Sequence, residues 1–312
     1  MERIVLKNSD LEVSRLGMGG CPMGGYGWGS VSTNDLIDAV RKAMEIGINF
    51  FDSADTYGLG EGEKVLGTAL QGNRHQAVIA TKFGVRIDNG KTYYDNSARW
   101  IKQSVENSLS RLGTDYIDLY QIHYRDATTP ISDVIDNLDR LKSKGLIRHY
   151  GLSNIHIEDI GELEKYQGKF VSFQDEYSLA CRKNEQDMHD VAGKLELTPL
   201  TWGSLGQGIL TGKYNQGSTF ATDDRRSKEI YVNFHGDKLL KNLHVVHEMR
   251  KISAEINKPI PAIAIRWILD YLPNCVVLAG MKNISQLLAN AEAFGWALDK
   301  EQISRLEVVS NI

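Results

Sequence analysis

Apolar and polar positions fall in short alternating blocks along this chain. Residues 3 to 14 alternate loosely around Asn8-Ser9-Asp10, which predicts a two-stranded hairpin. Beyond it, brief apolar runs take turns with segments of helical period. Strands are predicted near 13–17, 48–52, 77–82, 116–122, 147–152, 170–174, 198–202 and 275–279. Helices are predicted over 62–71, 131–144, 156–166, 184–195 and 238–256. Two more helices carry start signals. Ser32 can cap one whose apolar face is Leu36, Ile37, Val40 and Met44, with Asp35 completing a capping box and Gly47 ending it. Ser97 precedes Ile101, Val105, Leu109 and Leu112, which share a second helical face.

Eight short strands with helices between them imply a parallel sheet buried on both faces. An open doubly wound sheet and a closed barrel fit that alternation equally. The open sheet that binds dinucleotides carries a Gly-rich phosphate turn after its first strand. Gly17-Met18-Gly19-Gly20-Cys21-Pro22 lacks that spacing, and Pro22 is a poor opening for the helix. Polar groups instead end many of the strands, which favours the α/β class in its (β/α)8 TIM barrel form. A barrel takes about 250 residues. The 312 present leave room for an N-terminal β-hairpin and long βα loops. No repeat or linker divides them, so residues 1–312 read as one domain. Three irregular stretches are expected to overhang the rim: 84–96, 214–237 and the C-terminal tail.

Composition narrows the function classes. A hydrophobic share of 42% and a charged share of 24% are ordinary for a globular core, and the net charge of -4 gives no footprint for nucleic acid or a membrane surface. No apolar stretch approaches the roughly 20 residues of a spanning helix, and the first residues lack a signal or transit pattern. A cytoplasmic protein is expected. Cys21, Cys181 and Cys275 have neither metal-ligand nor redox-pair spacing and read as reduced thiols, with Cys21 taken as a buried structural one.

Chemistry gathers at three strand ends. The run Ile48 to Phe51 stops at Asp52, and Tyr57 follows in a loop of small and polar residues. Val78-Ile79-Ala80-Thr81-Lys82 and Ile117-Asp118-Leu119-Tyr120-Gln121-Ile122-His123 likewise end on groups that move or steer a proton. Singly, each has a plainer reading: a capping carboxylate, a loop tyrosine, a solvated lysine, a core histidine. Jointly they supply the parts of a carbonyl reduction. A carbonyl accepts hydride only if its oxygen gains a proton, and a phenol with a pKa of about 10 holds its proton tightly. A nearby ammonium lowers that pKa, and a carboxylate keeps the ammonium charged. Asp52, Lys82 and Tyr57 supply these three groups, and His123 can donate to or orient the carbonyl oxygen.

Phe51-Asp52-Ser53-Ala54-Asp55-Thr56-Tyr57-Gly58 resembles the most specific motif of the aldo-keto reductases, nicotinamide-dependent carbonyl reductases on an α/β barrel. The similarity runs from Arg15-Leu16-Gly17-Met18-Gly19-Gly20 to Asn290. It implies an NADP-dependent oxidoreductase that interconverts an alcohol with an aldehyde or ketone, whether sugar, polyol-derived or aromatic. Asp52, Tyr57, Lys82 and His123 would be catalytic, with Tyr57 the general acid/base.

The resemblance also assigns cofactor contacts. Gly20, Cys21 and Asp52 would contact the cofactor; Ser153, Asn154 and Gln174 would bond its nicotinamide amide, the Asn and Gln together offering a donor and an acceptor. Trp202 would stack on the ring. The stretch holding Gly203, Ser204, Leu205, Gln207, Gly208, Leu210, Gly212 and Lys213 would bring backbone amides to the pyrophosphate. Gly280, Lys282, Gln286 and Asn290 complete the set, with Lys282 at the extra phosphate of NADPH and Asn290 at the adenine. Many relatives carry a basic residue where Gln286 stands, so NADH is also admitted. The pairs Asp223-Asp224 and Arg225-Arg226 read as a solvated loop, with a cofactor clamp as the minority reading.

Tyr26, Trp28, Tyr57, His123, Tyr124 and Arg125 would contact the substrate, and Asp126 reads as a surface residue. The expected partner is a small carbonyl or alcohol; oligomeric state and flux direction stay open. A nicotinamide-binding regulatory subunit on the same fold is disfavoured by the intact tetrad. A metal-dependent hydrolase is disfavoured because Asp52 and His123 lack the neighbouring ligands of a zinc site, so no metal is expected.

Overall fold

The computed structural model describes residues 1–25 and 27–311. Strands β1 (Arg3–Val5) and β2 (Glu12–Ser14) pair antiparallel as the expected hairpin. Strands β3 (Leu16–Gly19), β4 (Phe50–Asp52) and β5 (Val78–Phe83) then begin the barrel. A second hairpin, β6 (Val85–Asp88) with β7 (Lys91–Tyr94), stands on its rim. Strands β8 (Ile117–Ile122), β9 (Ile147–Ser153), β10 (Ser172–Glu176), β11 (Thr198–Trp202) and β12 (Val276–Gly280) close it. The order around the barrel is β10-β11-β12-β3-β4-β5-β8-β9, with every pair parallel.

The apolar runs become strands because side chains on both faces are buried. Phe50, Val78, Leu119, Val171, Leu200 and Val276 fill the interior, and Leu6, Leu11 and Val13 of the first hairpin join them to form its floor. Opposite residues, such as Phe51, Ile79 and Tyr120, pack outward against the helices. These include α1 (Thr33–Glu45), α2 (Glu61–Ala69), α3 (Ala98–Leu112), α4 (Ile131–Ser143), the one-turn α5 (Ile160–Leu163) and α6 (Glu185–Lys194). Then come α7 (Gly236–Ile256), α8 (Ile260–Tyr271), α9 (Ile284–Ala291) and α10 (Lys300–Ser310). No helix among the described residues is long and apolar enough to cross a membrane.

Several boundaries differ from the sequence reading. The predicted strand 13–17 is two elements, because Ser14 belongs to the floor hairpin and Leu16 starts the barrel. Ser32 does cap α1 by accepting from the Asp35 N–H, but no reciprocal Asp35 contact completes a box. The stretch 156–166 breaks into short turns around α5 rather than one helix. Residues 84–96 are not irregular but mostly the β6–β7 hairpin, and the tail is α10, capped by Asp299 with a reciprocal Gln302 contact. Helix α8 escaped notice because Ala262 to Leu269 are all buried, so it has no polar face to give a period.

Candidate active site

The carboxyl ends of the strands open onto a cavity of about 1340 Å³. Asp52 is the last residue of β4 and stands opposite Ala80 of β5; Lys82, two positions further along the same face of β5, reaches back to it. Lys82 Nζ donates to Asp52 Oδ2 at 2.7 Å, to the Ser53 carbonyl at 2.8 Å and to the Tyr57 hydroxyl at 3.4 Å. Lys82 is wholly buried behind the cavity wall, whereas Tyr57 and His123 line it. Their rings meet edge-on at 6.2 Å. Backbone fit holds Tyr57 in place. A Cβ on Gly58, at φ +60°, would sit 2.2 Å from the Gly24 carbonyl oxygen, so the loops after β3 and β4 touch only through glycine.

The other Asp52 oxygen accepts from Gln121 Nε2 at 3.2 Å and Gln174 Nε2 at 2.9 Å. The buried carboxylate is thereby satisfied on both sides. Gln121 is a positioning group that the sequence reading passed over, although a lone amide inside an apolar strand was a visible signal. Burial pushes the Tyr57 phenol well above its ordinary pKa, and Asp52 adds to the rise. The expectation that Lys82 leaves this phenol easier to ionise therefore fails here, because desolvation is the larger effect. Burial, then Lys82, drives His123 well below the usual histidine pKa, so its imidazole is neutral.

In the loop after β4, Asp55 Oδ1 is buried with no hydrogen-bond partner. Burial, then Glu63, pushes its carboxyl from 3.8 up to about 8 against Arg111 and Lys82. The folded state thus holds a proton that the unfolded chain releases, so stability falls as pH rises from about 4 through about 8. Asp55→Asn, neutral at every pH, should melt above the wild type at about pH 8.5, with the gap closing toward about pH 4. A gap independent of pH in circular-dichroism melts would show that Asp55 ionises normally.

Most of the expected cofactor residues share the cavity wall. Gly20, Cys21, Ser153, Asn154, Gln174 and Trp202 stand near the tetrad end; Gly203, Ser204, Leu205, Gln207, Gly208 and Lys213 follow, then Gly280, Lys282, Gln286 and Asn290. Leu210 and Gly212 do not line it. Leu210 is buried in the core, and Gly212 turns toward Ile260. Asn154 Nδ2 donates to the His123 carbonyl, and Gln174 Nε2 is held by Asp52. Both amides therefore offer their oxygens rather than a donor and an acceptor. At the far end Asn290 is almost wholly buried with Nδ2 unpartnered, which fits a ligand that brings an acceptor such as an adenine. Cys21 is not a structural core thiol: it borders the cavity and accepts from Trp28 Nε1 at 3.2 Å.

The 214–237 stretch corrects the solvated-loop reading. Asp224 and Arg226 are buried and bridged to each other, and Arg226 also bonds the Tyr214 hydroxyl. Arg225 N donates to the Gly27 carbonyl at 2.9 Å, while Lys282 Nζ meets the Trp28 carbonyl, so three loops join at the cavity wall.

On the substrate side Trp28, Tyr57, His123 and Tyr124 line the wall; Tyr26 lies outside the described residues. Arg125 does not line it, because ion pairs to Asp159 and Glu162 at 2.9 and 2.6 Å draw it outward. Asp126 is structural, accepting from the Asn96, Thr128 and Thr129 N–H groups. Sequence reading missed Val85, Ile87, Thr92 and Tyr94 of the rim hairpin, which form a further wall. Asn89-Gly90 between alternating residues was the signal for that turn.

The pattern of the Aldo/keto reductase family matches residues 15–311. Aldo-keto reductase YhdN of Bacillus subtilis is 34% identical over 304 residues, covering 96% of this chain and 91% of its own. The NADH-specific methylglyoxal reductase of Escherichia coli is 29% identical over 309 residues, covering 94% and 93%. Among solved structures, the glycerol dehydrogenase AKR11B4 from Gluconobacter oxydans superposes with TM-score 0.88 at 32% identity, covering 98% of this chain and 94% of that one.

Proposed function

The chain belongs to the aldo/keto reductase family of NAD(P)H-dependent carbonyl-reducing oxidoreductases, and we propose that Tyr57 is the proton donor of its reaction. One observation carries the reading: a buried ammonium, Lys82 Nζ, bridges Asp52 and the Tyr57 hydroxyl at the wall of the cavity. The bound dihydronicotinamide supplies the hydride. This chain's residues do the rest.

Ser153, Asn154 and Gln174 would hold the nicotinamide amide, and Trp202 would lie against its ring. Tyr57, protonated through its burial, gives its proton to the carbonyl oxygen as charge develops there. Lys82 stabilises the phenolate left behind, and Asp52 keeps Lys82 charged. Neutral His123 holds the carbonyl oxygen by a hydrogen bond without competing for the proton. Aromatic walls from Trp28, Tyr124 and Tyr94 suit a sugar, a polyol-derived carbonyl or an aromatic one. Similarity to a glycerol dehydrogenase and a methylglyoxal reductase supports the small polyol-derived end of that range. The proposed enzyme acts in the cytoplasm as a single barrel domain over 1–312, on a small carbonyl or alcohol rather than a nucleic acid or membrane.

NADPH is the proposed cofactor, with NADH accepted more weakly. Lys282 stands at the cavity wall with Arg226 and Lys213 near enough to affect it, a positive group suited to an extra phosphate. Lys282→Ala should weaken NADPH binding about tenfold relative to NADH, or roughly 1.4 kcal/mol. Fluorescence titration with both cofactors checks this, and an unchanged ratio would remove Lys282 from the phosphate site. The overall reading is tested by NADPH oxidation with a panel of aldehydes, ketones and polyols. Tight cofactor binding with no turnover on any of them would favour a regulatory subunit.

A further inference from the structure

Strand alternation sends neighbouring side chains of β10 in opposite directions. Gln174 reaches Asp52 inside the barrel, while Asp175 faces the helical layer. There it meets His156, from the turn after β9, and Asp187, in the first turn of α6. His156 Nδ1 lies 2.9 Å from Asp187 Oδ2 and 3.6 Å from Asp175 Oδ2, and all three donor atoms fall within 4.8 Å of one another. None of the three residues lines the cavity.

Each carboxylate is oriented by its other oxygen. Asp175 Oδ1 accepts from the Glu176 N–H at 2.7 Å and Asn184 Nδ2 at 3.0 Å. Asp187 Oδ1 accepts from the Ile157 N–H at 3.2 Å. The His156 N–H is fixed in turn by Asp159 Oδ2 at 2.9 Å. The remaining oxygens are thus aimed at one shared point, as ligand-orienting contacts do in metal centres. Asp175 Oδ2 is fully buried and has no hydrogen-bond partner, on a side chain only 3% exposed. A protonated imidazole does not account for it. The single Nδ1–H is spent on Asp187 at 2.9 Å, and 3.6 Å is beyond a hydrogen bond.

We propose that His156, Asp175 and Asp187 bind a divalent cation of the zinc class, with water as the fourth ligand. Tetrahedral zinc with N and O ligands sets its donors roughly 3.4 Å apart, within the spread found here. One imidazole beside two carboxylates favours such a borderline cation over magnesium, which prefers oxygen and water in an octahedron. The cation would tie the β9 turn, the end of β10 and the start of α6 together, outside the barrel wall that carries Asn154 and Gln174.

The test uses full-length, tag-free protein, stripped with a chelator and dialysed against zinc, followed by metal analysis and thermal melts. About one zinc per chain is expected, with a rise of several degrees in melting temperature. His156→Ala and Asp187→Asn, checked for native circular dichroism, should lose both. Folded wild type that takes up no zinc overturns the proposal. So does equal uptake by both variants, which would place the zinc elsewhere. An equal melting shift with magnesium overturns the assigned cation class. Because uptake is read by metal analysis, the outcome is independent of whether the chain reduces any carbonyl.

Discussion

Tyr57→Phe is expected to slow hydride transfer by roughly 10²–10⁴-fold, the range general acid catalysis covers, with little change in cofactor affinity or melting temperature. The ring stays in place against His123 and below Lys82, so only the hydroxyl is lost. That hydroxyl is the group in contact with the Lys82 ammonium at 3.4 Å. The deciding measurement is single-turnover reduction of an activated aldehyde at saturating NADPH, which separates chemistry from product release. A variant within about threefold of wild type, far below the acid-catalysis range, would show that the proton comes from elsewhere, and His123 would be examined next.

Lys82→Met should be at least as damaging to the rate, and it should also weaken the fold. The substitution keeps a flexible apolar stem but strips the charge between Asp52 and Tyr57. Both partners of the Asp52 pair are buried, at 0% and 4% side-chain exposure. Removing one member of such a pair typically costs about 3–5 kcal/mol, because the other is left as an uncompensated charge. Gln121 and Gln174 still donate to Asp52, which places the expected loss toward the lower end of that range. Chemical denaturation gives the stability change and single turnover gives the rate. Wild-type stability with an inactive enzyme would mean that Asp52 takes up a proton in the variant. Wild-type rates would mean that the ammonium plays no part in proton transfer.

The barrel and its tetrad were legible in the sequence for a physical reason. Strands buried on both faces must be short and continuously apolar, so a carboxylate or ammonium at the end of such a run stands out. Asp52, Lys82 and His123 were visible in this way. Arg125 was misread because its neighbour His123 faces the cavity, while its own direction is set by Asp159 and Glu162, more than thirty positions away. Arg226 was misread for the converse reason. A run of charges looks solvated until Asp224, Tyr214 and the aromatic ring of Phe220 enclose it. The sign of the Tyr57 shift was illegible too, since it is set by desolvation of the phenol, with Asp52 adding to it, and not by the favourable charges nearby.

The floor hairpin has a consequence for how the chain acquires its shape. Leu6, Leu11 and Val13 share one buried cluster with Leu200, Val276 and Leu278, which the ribosome adds far later. Arg15 is anchored to the Cys275 carbonyl 260 positions onward, and β3 finds its second barrel neighbour only in β12. Until β12 has been made, the nascent chain therefore carries an open sheet edge and an uncovered apolar floor. Contacts spanning such sequence distances form slowly and leave intermediates prone to self-association. Overexpression should accordingly favour inclusion bodies at high temperature, and slower translation in the cold should raise the yield of folded protein.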